Sequence, residues 1–127
     1  MVNGPKHILV VDDDELARLE MVRCVEQQGH TAAQAKDGVE ALSTLRAQQF
    51  DLVLLDLLMP EVDGLEVLRQ VKEDTELKTI PVIVVTGVGE PDSTARCLAM
   101  GAVDYLTKPL DHTLLAERMN AALAESS

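Results

Sequence analysis

The sequence predicts a doubly wound α/β domain, five parallel strands with helices on both faces, and three features lead there. Short runs rich in β-branched and leucyl residues alternate with longer segments whose apolar residues recur every three or four positions, the pattern of strands alternating with amphipathic helices. Three of these runs, "HILVV", "LVLL" and "VIVV", are apolar on successive residues, as expected of strands covered on both faces in a parallel sheet. Glycines stand where helices must turn back into strands, a place where a left-handed backbone favours them.

Taken in order, "HILVV" gives the first strand. Ala17, Met21, Cys24 and Val25 then share one face of the first helix, which Gly29 ends. "TAAQA" is the weakest strand and is expected near an edge of the sheet. A second stretch of helical spacing leads to "DLVLL", the third strand, and a further one to "IPVIVV", the fourth. Gly101 precedes the fifth strand, "AVDYL", and Leu115, Met119 and Ala122 line one face of the last helix before a frayed "AESS" end.

Composition narrows the function classes. A chain of 127 residues, 46% hydrophobic and 26% charged, holds one substantial core, so residues 1–127 are read as a single domain with flexible ends at 1–5 and 125–127. With 22 acidic against 11 basic residues, net charge −11, it repels nucleic-acid phosphates and anionic lipid headgroups. Direct nucleic-acid or membrane binding is therefore not expected. The apolar run in "MVNGPKHILVV" is too short for a secretory signal, and no apolar stretch approaches the roughly 18 residues of a membrane span, which points to a soluble cytoplasmic protein. Cys24 and Cys97 lie in helical patterns without metal-ligand or redox spacing and read as small core residues.

The fold class locates the chemistry. In an open parallel α/β sheet, ligands bind beyond the carboxyl ends of the strands, where strand order reverses. The first strand runs into Asp12, Asp13 and Asp14, the third into Asp56, the fourth into Thr86, and the fifth, two residues on, into Lys108 and Pro109. Each has an ordinary reading by itself. Asp13 or Asp14 could cap the next helix, Asp56 could be a rim carboxylate, Thr86 a strand former and Lys108 a surface lysine in a turn.

Together they say more. Asp56 is a charge inside an otherwise apolar run, and two carboxylates about 4 Å apart repel by roughly 4 kcal/mol at an effective dielectric near 20. A cluster of Asp12, Asp13 and Asp56 therefore calls for a cation. Oxygen ligands with no His or Cys at any of these strand ends fit magnesium better than zinc. One carboxylate can then act as a nucleophile while Lys108 and the Thr86 hydroxyl bind the oxygens of an incoming phosphoryl group.

These residues, in "ILVVDDDE", "DLVLLDLLMPEVDG", "VIVVTG" and "GAVDYLTKP", resemble the receiver domains of two-component response regulators along nearly the whole chain. The resemblance implies a flavodoxin-like sheet of order 2-1-3-4-5, phosphorylation of Asp56, magnesium held by Asp12, Asp13, Asp56 and the backbone carbonyl of Leu58, and contact of Lys108 with the phosphoryl group. It further implies that Thr86 and Tyr105 form the switch pair, and that the Lys108–Pro109 bond is often cis. A sensor histidine kinase or histidine phosphotransfer protein would be the donor, and a downstream output domain or protein the target. The changed surface would be that of the fourth helix, fifth strand and fifth helix. The face bearing Leu98, Tyr105 and the fifth helix is the candidate for a homodimer or output contact.

Such a receiver is a signalling switch rather than a turnover enzyme. Gly87 is expected to keep the approach to Asp56 open and Gly89 to loosen the loop beside it. The positions that tune hydrolysis in the family are Leu58 and Val88 here, neither able to hydrogen-bond water, so slow self-dephosphorylation is expected. Two alternatives stay open: a magnesium-dependent aspartyl phosphatase or phosphotransferase, and a vestigial receiver-like interaction module. Whether the sequence is a whole single-domain regulator or a receiver from a longer protein is likewise open.

Overall fold

The structure, a computed structural model, describes residues 4–57, 63–87 and 91–126. Strands and helices alternate: β1 (His7–Val11), α1 (Glu15–Gln27), β2 (Thr31–Ala35), α2 (Gly38–Ala47), β3 (Leu52–Leu55), α3 (Gly64–Glu73), β4 (Val82–Thr86), α4 (Pro91–Ala99), β5 (Asp104–Thr107) and α5 (His112–Ser126). The strands form one parallel sheet in the order β2-β1-β3-β4-β5, as the sequence predicts. The weak strand β2 lies at an edge, also as predicted.

Continuous apolar runs are needed because successive strand side chains enter different cores. Leu9, Val11, Val53, Leu55, Val82 and Val84 face one core with α2, α3 and α4 residues such as Leu45, Leu68 and Cys97. Ile8, Val10, Leu52, Leu54, Ile83 and Val85 face the other with Met21, Cys24, Val25, Leu115 and Met119 of α1 and α5. Both cysteines are buried and free, in keeping with their reading as core residues. Among the described residues, no helix is long and apolar enough to cross a membrane.

Helix ends follow local chemistry. Asp14, Asp37 and Asp63 are the N-caps of α1, α2 and α3, their carboxylates accepting from the amides of Ala17, Glu40 and Glu66. Gly29 at φ +86° and Gly101 at φ +110° take the left-handed conformation expected after α1 and α4.

Three strands start later than the sequence reading has them, β3 by one residue, at Leu52, and β4 and β5 by two. β4 begins at Val82 because Pro81 has no amide to donate and contributes only its carbonyl, to Val53 N at 3.0 Å. β5 begins at Asp104 because the Ala102 amide closes α4 on the Cys97 carbonyl, 3.0 Å away.

Candidate functional site

β1 and β3 are adjacent and in register, Val11 beside Leu55, so the residues after them leave the sheet side by side. The backbone holds both in place: Asp56 N donates to Val11 O at 3.0 Å and Asp12 N to Ala35 O at 3.1 Å. One carboxylate oxygen from each of Asp12, Asp13 and Asp56 lies within 4.8 Å of the others. Asp12 and Asp56 are buried, at 0% and 4% exposure, whereas Asp13 is open to solvent. The capping alternative falls to Asp14. Asp13 makes no side-chain hydrogen bond or ion pair among the described residues, and its carboxylate is left to the cluster.

The other side of the site comes from β4 and β5. Lys108 N donates to Thr86 O at 2.9 Å, tying the β5–α5 connection to the end of β4. The Lys108–Pro109 bond is cis. Lys108 Nζ lies 2.8 Å from Asp12 Oδ2 and 3.5 Å from Asp56 Oδ2. Thr86 is fully buried, and its Oγ1 has no hydrogen-bond partner among the described residues. Tyr105 pairs with Val84, two residues before Thr86, and packs against the core on the α3 and α4 side. Thr86 and Tyr105 thus share one face of the sheet.

The charges do not balance. Three carboxylates meet one ammonium, and burial raises the Asp12 carboxyl above its ordinary range despite the hydrogen bonds from Lys108 and the Asp14 amide that oppose it. Burial works to lower the Lys108 ammonium, but the Asp12 hydrogen bond and the charges of Asp56 and Asp12 prevail and hold it above the usual lysine value. Lys108 therefore stays charged and still leaves the cluster short of positive charge. An all-oxygen donor set with one solvent-facing member suits a hard divalent cation that keeps water or phosphate ligands.

Leu58, Val88 and Gly89 lie outside the described residues. A Cβ built on Gly87 meets no atom of the described residues within 4 Å. One residue that the sequence reading missed is Gly64. A Cβ there would sit 2.3 Å from Asp56 O and 2.5 Å from Leu57 Cα, and Gly64 N donates to Leu57 O at 3.0 Å. This glycine lets α3 start directly against the backbone that carries Asp56. Its only local signal is a glycine directly after the capping Asp63.

Known proteins share this fold and much of this sequence. Residues 8–120 match the family described as the response regulator receiver domain. The chain is 36% identical over 117 residues to Protein PilH of Pseudomonas aeruginosa, covering 92% of this chain and 97% of that protein. It is 39% identical over 117 residues to the CAI-1 autoinducer sensor kinase/phosphatase CqsS of Vibrio cholerae, covering 91% of this chain and 17% of that protein. Among solved structures, a CheY-like response regulator receiver domain protein of Methanospirillum hungatei superposes with a TM-score of 0.89 at 28% identity, over 97% of each chain. The match thus spans nearly all of one relative and only a small part of another.

Proposed function

The chain belongs to the response regulator receiver domain family of two-component signalling, and from this we propose that it is a phosphorylation-driven switch in which Asp56 accepts a phosphoryl group from a sensor histidine kinase or histidine phosphotransfer protein. The observation that carries this reading is the meeting of Asp12, Asp13, Asp56 and Lys108 at the carboxyl ends of β1, β3 and β5, with Thr86 ending β4 on a hydroxyl that has no partner among the described residues.

In the proposed step, an Asp56 carboxylate oxygen attacks the phosphorus of a phosphohistidine. The O–P bond forms as the P–N bond breaks, and the imidazole leaves with the electron pair and takes a proton from solvent. Asp12, Asp13 and Asp56 would hold magnesium, with the Leu58 carbonyl as a further ligand implied by the family. When bound, the ion offsets negative charge on the aspartates and on the phosphoryl oxygens. Lys108, already 3.5 Å from Asp56, is placed to bind a phosphoryl oxygen. The Thr86 hydroxyl donates to another, and Tyr105 fills the space it leaves. The result is a population shift in the surface formed by α4, β5 and α5. Leu98 and Val103 are exposed there and suit an output domain, a downstream protein or a second copy.

Residues 1–127 act in this reading as a single receiver domain that promotes only its own phosphorylation and dephosphorylation. Acetyl phosphate with magnesium, followed by intact-mass measurement, tests it. One added phosphoryl group is expected in the wild type and none in Asp56→Asn or without magnesium. A mass unchanged in every condition would favour a vestigial interaction module, and continuous turnover of acetyl phosphate at enzymatic rates a phosphatase. Decay of the phosphorylated protein should be slow and should quicken in Leu58→Asn. Equal lifetimes would remove Leu58 from the control of hydrolysis.

A further inference from the structure

Resting on the phosphoacceptor reading, we propose that Arg18 is a positioning residue for the acidic pair, holding the peptide between Asp12 and Asp13 so that Asp13 presents its carboxylate to the cation. Arg18 Nη1 donates to Asp12 O at 2.8 Å, and its Nε donates to Gln34 Oε1 on β2 at 2.9 Å. The guanidinium is a rigid fork, and here it joins the loop after β1 to the edge strand from its seat on α1. Asp12 is consequently fixed at both ends of its backbone, by Ala35 O on its amide and by Arg18 on its carbonyl, and its Oδ1 accepts from Asp14 N at 2.9 Å.

Asp13 has no such restraint. With no side-chain partner among the described residues, its carboxylate is aimed by its own backbone, which continues from the carbonyl that Arg18 grips. Mutual repulsion of the carboxylates would otherwise turn the exposed Asp13 outward to water. Among the described residues the guanidinium forms no ion pair with these carboxylates and bonds instead to the Asp12 carbonyl and Gln34, so its action is through the loop.

Calorimetric titration with magnesium chloride tests this on wild type, Arg18→Met, Arg18→Lys and Gln34→Ala. Residues that orient metal ligands typically contribute about ten- to a hundredfold in affinity, and Arg18→Met is expected to weaken magnesium binding by at least about tenfold. Arg18→Lys keeps the charge but loses the fork and should weaken it as much. Gln34→Ala, on the exposed edge strand, should weaken it less and leaves the test standing if the Arg18 variants do not fold. With acetyl phosphate, the half-saturating magnesium concentration should rise while the rate at saturating magnesium stays near wild type. Wild-type affinity in Arg18→Met, or full rescue by Arg18→Lys, would overturn the positioning role while leaving the phosphoacceptor reading intact. A wild-type protein that takes up no magnesium would overturn both.

Discussion

Thr86 ends a fully buried strand with a hydroxyl that finds no hydrogen-bond partner among the described residues. An unsatisfied buried hydroxyl costs about 1–3 kcal/mol, and nothing in packing requires oxygen rather than a methyl group at that point. Thr86→Val should therefore stabilise the unphosphorylated protein by about 1 kcal/mol in urea denaturation, while the phosphorylated form loses the proposed donor to the phosphoryl oxygen. A variant no more stable than wild type would mean that the hydroxyl is satisfied in solution. The type and place of this residue are legible in the sequence, at the end of "VIVVT". Its lack of a partner is not, because that depends on what β3, β5 and the adjoining segments bring within reach.

At the scale of elements, the junction of β3 and α3 sets where Asp56 sits. Gly64 opens α3 where a Cβ would run into the backbone of Asp56 and Leu57, whereas a Cβ on Gly87, at the end of β4, would meet no atom of the described residues. Gly64→Ala forces backbone against backbone and should cost at least about 1–3 kcal/mol, as overpacking does. It should also slow phosphorylation by acetyl phosphate on the order of tenfold or more, since small displacements of a reacting group are expensive in rate. Gly87→Ala should leave the melting temperature nearly unchanged, and similar losses in both variants would contradict the contact geometry. The strands themselves are legible because apolar runs are local signals. Their ends are less so: Pro81 shortens β4, and the Ala102 amide is drawn into the cap of α4. The close approach at Gly64 joins segments from two elements, and no periodicity reports it.

Across the whole molecule, a net charge of −11 means that any cation stabilises the fold to some degree by screening, so stabilisation by magnesium alone does not identify a site. The convergence of Asp12, Asp13, Asp56 and Lys108 was legible because the fold class sends strand ends to one rim. The grip of Arg18 on the Asp12 carbonyl was not, since it depends on a side chain crossing from α1 to β2. The cluster makes a prediction that screening does not. At ten times its dissociation constant, magnesium bound only to the folded state contributes about 1.4 kcal/mol, which raises the melting temperature by several degrees. In Asp13→Asn a ligand is lost but so is one repelling charge, and Asp13 is exposed enough for the amide to be tolerated. The variant should therefore melt above wild type in chelator and below it in magnesium. Sodium chloride at matched ionic strength should raise both and leave their order as it is in chelator. If magnesium and sodium shift both proteins alike, the three carboxylates are an acidic patch without a bound ion; a reversal of order with magnesium alone requires that the ion sit among them.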